Sequence, residues 1–408
     1  MLKKAVILII ILSSVSLYTL IFIPDKIISM LRLAVPAAML FLLVVYKVYD
    51  NSFRFKPKFR IEFGLIYMAV ILSMFGAYFF HKQGFAVTAV AQRFIYFVIF
   101  YPVLHVLKPK PEFLIKIIVY LGILYAILYI LQMLVYPTKL VAADIFIDRE
   151  TLRISLPGSG FLMLTYLIGL SRLIKTNNLK YLLLCLLTLI VIALMGTRQA
   201  IAPVALVTIL SILISKKVQS RALIIVLVAI ATVPVYFLFI DIFNAMFEVS
   251  QMQASNYKGD IRIKAATFFL FDFFPTKLSY IIGNGVPSAL SPYGIKINAY
   301  AKILGYYQSD IGIIGDYTKF GILMVIAQIS LYARVLIRRL PLELDFVKYN
   351  FLMALLTIFL GSSFGYADFI IIICISLYLI DISSYVNPPD TNIAAADNPK
   401  DEKQILIQ

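Results

Sequence analysis

The feature that most constrains this chain is a succession of apolar runs, each near the length that crosses a bilayer, separated by short charged breaks. A membrane helix needs about 20 mainly apolar residues, because the hydrocarbon core leaves every backbone polar group to be satisfied within the segment. Runs of that kind fall at 5–23, 29–48, 61–80, 86–107, 113–136, 158–174, 180–196, 200–215, 222–240, 313–336, 349–363 and 366–384. The pattern predicts an all-α polytopic integral membrane protein of about 12 transmembrane helices. Composition agrees: 62% of residues are hydrophobic, 14% are charged and the mean hydropathy is +0.94, which excludes an ordinary soluble domain. The start, MLKKAVILIIILSS, has the basic and apolar regions of a signal peptide. The apolar run continues to Ile23 without a small-residue cleavage site, so it reads as a first membrane helix. Residues 1–384 form the membrane domain, and the polar, Pro- and Asp-rich stretch 385–408 reads as a disordered cytoplasmic tail.

Orientation follows from the basic residues, which are retained in short cytoplasmic connections. With the N-terminus inside, the inner connections YDNSFRFKPKFR, KPKPEF, SRLIKTNNLK, SKKVQSR and RRLPLELDFVK, with the termini and flanks, hold most of the 37 Lys and Arg. Both ends are therefore expected in the cytoplasm, and the formal charge of +16 needs no nucleic-acid partner. With no Trp, the 26 Tyr are left to anchor the chain at the membrane interfaces. Cys185 and Cys374 both fall inside apolar runs, so no disulfide framework is expected. No Cys, His and carboxylate spacing suggests a metal site, and no cofactor is called for.

One connection on the expected outer face is long, residues 241–312, and a polytopic chain that keeps so long an external loop usually does so for function. Within it YKGDIRIKAATFFLFDFFPTKL predicts a helix over 260–274, with Asp260 near its start and Pro275 just past its end. Its phenylalanines read as an interfacial anchor, with Arg262 and Lys264 at the more polar end. The glycine-rich turn IIGNGVPSALSPYG follows, carrying Gly283 and Gly285, a composition that lets backbone approach a ligand.

Arginines gather on the same expected face. Arg198, in LMGTRQA, falls in the tight turn between the seventh and eighth runs. Arg153 precedes the sixth run, and Arg93 lies inside the fourth, about 10 Å from its outer end at 1.5 Å per residue. For each there is a plain structural alternative: a headgroup anchor for Arg198, a solvated loop charge for Arg153 and a buried structural arginine for Arg93. Taken together with Arg262 they form an outer set of guanidiniums suited to phosphate, whose oxygens the planar fork binds in pairs. The stretch GYYQSDIGIIGDYTKFGIL adds Asp310 and Asp316 as candidate bases, with Tyr317 beside them. Asp316 and Lys319, three apart, have pairing with each other as their alternative. His81 lies at an outer helix end, within reach of the site, and His105 near the inner face.

In these features the chain resembles the superfamily of Wzy O-antigen and polysaccharide repeat-unit polymerases and O-antigen ligases. GTRQA matches the family's small-residue–Arg turn, Arg262 in DIRIKAATFF its arginine early in the large loop, and GNG at 283–285 its Gly-x-Gly turn. Many members carry a histidine eleven residues before a helical Phe/Leu-Gly-Ile; counting back eleven from Gly321 in FGIL gives Asp310, a departure that leaves the general base open between Asp310, Asp316, His81 and the substrate itself. The resemblance implies a GT-C-like fold with the large external loop between helices nine and ten, in a bacterial inner membrane. It implies transfer of an undecaprenyl-pyrophosphate-linked glycan to an acceptor sugar hydroxyl without metal or cofactor, with membrane lipids and a chain-length regulator as partners. Asp310, Arg198 and Arg262 would be catalytic; Arg93, Arg153, Lys264, Gly283, Gly285 and Tyr317 would bind substrate. A polymerase extending lipid-linked repeat units is the expectation; a ligase using the lipid A core of lipopolysaccharide as acceptor, and a polysaccharide flippase, are the rivals.

Overall fold

The structure is a computed structural model, and it describes residues 2–49, 57–148, 151–214 and 260–386. The described residues are mostly helical, with one two-stranded antiparallel hairpin among them, Ile145–Asp148 paired with Thr151–Ile154. The helices, numbered in chain order, are α1 (Leu2–Ser14), α2 (Asp25–Tyr49), α3 (Arg60–His81), α4 (Phe85–Ala91), α5 (Phe100–Leu107), α6 (Pro111–Val135), α7 (Ser159–Thr176), α8 (Leu179–Leu194) and α9 (Arg198–Ile214). Beyond the undescribed stretch come α10 (Ile261–Thr267), α11 (Lys277–Ile282), α12 (Pro292–Leu304), α13 (Gly312–Phe320), α14 (Ile322–Ile337), α15 (Asp345–Leu356) and α16 (Ala367–Val386).

Among the described residues, three helices are long and apolar enough to cross a membrane, Asp25–Val48, Arg60–His81 and Pro111–Val135, and α4 with the Ile95–Leu107 segment makes a fourth if that pair, bent by 72°, is one span. Leu179–Leu194, Ala200–Leu213 and Ile322–Ile337 are apolar but shorter. Several expected runs are broken. The first ends at Ser14 and enters a left-handed turn over Ser16–Thr19, φ 49 to 56°. The fourth bends between Ala91 and Ile95. The tenth divides at Gly321, whose φ of +76° no continuous helix accommodates. Apolar composition extends across these breaks because the breaks are themselves packed against protein. The expected ninth run at 222–240, residues 241–259 of the long connection and the tail 387–408 lie outside the described residues.

Antiparallel contacts order the bundle into two ends. Glu62 near the start of α3 bonds Arg334 near the end of α14 at 2.5 Å. At the same end Asp381, late in α16, meets Tyr101, His105 (3.0 Å) and the Lys58 backbone N–H (3.4 Å), and Lys175 pairs with Asp345 at 3.7 Å. The end of α3, by contrast, packs against the segment around Gly283, and α16 begins beside α7 at the opposite end. Between the ends runs one apolar core in which α7, with Phe161, Leu164, Tyr166 and Leu167 buried, is central.

Candidate functional site

The end opposite Glu62 and Asp381 carries the sequence-predicted residues, and the hairpin is its organising element. Gln132, fully buried near the end of α6, donates to the Thr138 carbonyl (2.8 Å) and accepts from the backbone N–H groups of Leu140 (2.7 Å) and Val141 (3.1 Å). One amide thereby fixes the chain that leads into the hairpin, meeting two of its backbone donors and one carbonyl. The hairpin register sets Arg153 opposite Phe146. Arg153 Nη2 donates to the Gly196 carbonyl at 3.3 Å. Gly196, at φ +60°, turns the chain from α8 into α9, whose first residue is Arg198. The hairpin arginine and the GTR turn, separate in the sequence, thus meet.

Arg262 sits in the first turn of α10, where its backbone N–H is capped by Asp260 Oδ1 at 2.7 Å, as the sequence predicted. This helix packs on the short helix Gln308–Ile311 that carries Asp310. Both belong to a small core of their own, Ala265, Phe269, Phe273, Tyr293, Ile297 and Ile311. The phenylalanines expected at the membrane interface are therefore mostly inside this core; Phe271, 70% exposed, points out of it. Burial pushes the Tyr293 phenol up, and its neutral hydroxyl donates to the Gly285 carbonyl at 3.3 Å. Lys264 lines an open groove of about 350 Å³ with Ile263, Thr267, Phe268, Asp272 and Tyr306.

Gly283 and Gly285 serve packing in this arrangement. A Cβ on Gly283 would meet the Lys319 carbonyl at 2.4 Å, and one on Gly285 would meet Ala77 at 2.5 Å. The close approach that glycine permits here is to backbone of α3 and to the α13–α14 junction. His81 tethers the same turn, its Nε2 3.0 Å from Asn284 Oδ1 and its ring stacked on Tyr293 at 3.9 Å. Tyr317 lies in an aromatic group with Phe274 and Tyr280, apart from the hairpin. Asp316 is 1% exposed and accepts from Ser362 Oγ (2.7 Å to each oxygen) and Gln328 Nε2 (2.8 Å). Enclosed in that way, it ties α13 to α14 and to residue 362. Asp310 is more open: its Oδ1 accepts from its neighbour Ser309 Oγ at 2.9 Å, and no side chain caps α13.

Two residues that the sequence reading passed over belong to this end. Asp368, 4% exposed in the first turn of α16, accepts from the Gly160 N–H at 3.2 Å, a carboxylate set at the start of two helices where their dipoles favour a negative charge. Its only sequence signal was an acid at the head of an apolar run. Arg32 is the second, seven residues into α2 and so at a depth comparable with Arg93. Arg93 lies with Arg32 over the Phe94 ring (guanidinium carbons 4.8 and 5.4 Å from its centroid), and is not brought to the hairpin. Among the described residues, no group of three or more His, Cys, Asp or Glu comes together as a metal site.

No protein-family model matches this chain, and no curated protein matches it in sequence.

Proposed function

We propose that this protein is a bacterial membrane glycosyltransferase that polymerises oligosaccharide repeat units carried on undecaprenyl pyrophosphate, working at the outer leaflet of the cell membrane. The reading takes the chain as about twelve membrane helices with both ends in the cytoplasm, some of them broken, and a large external loop after the ninth. The observation that carries it is the closure of the hairpin on the GTR turn, where Arg153 bonds the Gly196 carbonyl two residues before Arg198. That junction gathers guanidinium-bearing positions at one end of an apolar bundle, where a pyrophosphate held by a lipid tail would lie.

In the proposed reaction the arginines hold the donor pyrophosphate and stabilise the charge that grows as the bond from sugar C1 to phosphate oxygen breaks. A carboxylate, Asp310 first among them, takes the proton from the acceptor hydroxyl as its oxygen bonds to C1. The products are the lengthened glycan and the free lipid pyrophosphate. The groove along Lys264, Phe268, Asp272 and Tyr306 offers the mix of aromatic faces and polar groups that suits sugar rings. The test is lengthening of a lipid-pyrophosphate oligosaccharide by the purified protein alone in detergent. A ladder of longer lipid-linked products is expected. Transfer only to a lipid A core acceptor would identify a ligase instead, and no transfer to either acceptor would overturn the reading.

A further inference from the structure

Arg32 and Arg93 form a feature that the proposed reaction does not use. Their guanidinium carbons both lie over one aromatic ring, Phe94, 5.4 and 4.8 Å from its centroid. Among the described residues no carboxylate comes within ion-pair distance of either arginine. Arg32 spends two donors on one hydroxyl, Ser16 Oγ, at 3.0 and 2.8 Å. Arg93 gives one, Nη1, to the Val90 carbonyl at 3.2 Å. A guanidinium has five N–H donors, so most of this pair's hydrogen-bonding capacity is unspent in an apolar setting. Two unneutralised cations there are costly without a counter-charge.

The backbone around the pair is built to hold it. Ser16 opens a run of four residues with φ between 49 and 56°, none of them glycine. Left-handed backbone costs about 1–2 kcal/mol per such residue, and strain of this kind persists only where the surroundings over-determine it. Here they do: the Tyr18 hydroxyl bonds the Leu121 carbonyl at 2.8 Å, and Thr19 accepts from the Ala142 N–H at 2.6 Å. Arg93 in turn lies in the break between α4 and the Ile95–Leu107 segment. The surface beside the arginines is apolar and open, with Met30 and Leu33 on α2 and Val87 and Val90 on α4 all exposed.

We propose that Arg32 and Arg93 form a binding site for the phosphate group of a membrane lipid, with the acyl or prenyl chain lying along the open apolar faces of α2 and α4. The shared chemistry is a phosphate whose oxygens bridge two guanidiniums; the apolar flanks assign it to a lipid in preference to free phosphate. The site is separate from the Arg153–Arg198 junction, and its test needs no glycosyl transfer, so it stands or falls independently of the proposed reaction.

The test is lipid retention by the purified full chain, read by native mass spectrometry after exchange into micelles doped with phosphatidylglycerol, a polyprenyl phosphate or diacylglycerol. Both phosphate lipids are expected to be retained about tenfold or more over diacylglycerol, a difference of about 1.4 kcal/mol. An R32A/R93A double variant should lose that preference. R32K/R93K keeps both charges without the fork and so serves as a second reading if the alanine pair fails to fold; its retention should fall several-fold. Equal retention of diacylglycerol, or unchanged retention in R32K/R93K or in a folded R32A/R93A protein, would overturn the site. Displacement of both lipids by millimolar inorganic phosphate would overturn its assignment to a lipid.

Discussion

Arg153, Asp310 and Asp368 show three ways in which a charged side chain is made useful in an apolar chain. Arg153 is placed by pairing, on a hairpin whose register decides which face it takes; Asp368 by two helix starts; Asp310 by a short helix that leaves it half-open. The position of Asp310 removes the simplest alternative role, because no side chain caps α13 and Asn would cap as well as Asp in any case. Asp310→Asn is therefore expected to retain the lipid-linked donor while its turnover falls about 10²–10⁴-fold, the usual loss when a positioned base is removed. Donor binding and single-turnover transfer, measured side by side, check this; an active Asn variant would move the base elsewhere. Arg153→Ala is expected to lower transfer about 10²–10³-fold, with Arg153→Lys intermediate because a point charge lacks the fork. Activity of the alanine variant equal to the parent would return Arg153 to a purely structural bond with Gly196.

At the scale of elements, glycine contacts decide how the 260–311 segment is fastened to the bundle. A Cβ on Gly76 in α3 would stand 2.0 Å from the Gly283 carbonyl, and one on Gly321 2.1 Å from the Ile281 carbonyl. Three segments of backbone cross there without intervening side chains. Gly76→Ala is therefore expected to cost about 1–3 kcal/mol, as over-packing does, and to expose the segment to proteolysis between residues 260 and 311. Gly64→Ala, on the same helix with nothing within 4 Å of its added carbon, is the neutral control; equal proteolysis rates for the two variants would refute the account. This junction also marks what the sequence made legible. Hydropathy located most of the helices, and Asp260 and Pro275 bracketed the helical region correctly, since both signals are local. The breaks at Ala91, Gly321 and Ser16 were not legible, because each depends on a neighbour far along the chain. The same applies to the sites. Arg153 and the GTR turn were both picked out, but their meeting depends on Gln132 fixing the hairpin, a contact without periodicity. Arg32 was hidden because a single cation in an apolar run carries little signal until its partner is known.

For the whole molecule, the alternation of helix directions turns local contacts into a statement about sides. Glu62 with Arg334, Asp381 with His105, and Lys175 with Asp345 gather at one end, and the short connections between the neighbouring helices there are the basic ones, such as KPKPEF and SRLIKTNNLK. The opposite end carries the hairpin, the GTR turn and the 260–311 segment, and its short connections such as IPDKI and HKQGF carry a single Lys each. Orientation is set by basic residues in short connections, while long ones cross largely regardless of charge. The first end is therefore predicted to face the cytoplasm, and the arginine-bearing end the outside. The two natural cysteines, Cys185 and Cys374, are buried, so replacing both by alanine gives a silent background for labelling. On intact cells a membrane-impermeant maleimide is expected to react with Lys139→Cys and Thr267→Cys, at exposed positions of the second end. Lys110→Cys, Thr176→Cys and Glu343→Cys, exposed at the first end, should react only after permeabilisation. The reverse pattern would place Arg153, Arg198 and Asp310 in the cytoplasm, where soluble nucleotide-linked sugars are available, and would overturn the lipid-pyrophosphate reading at its root.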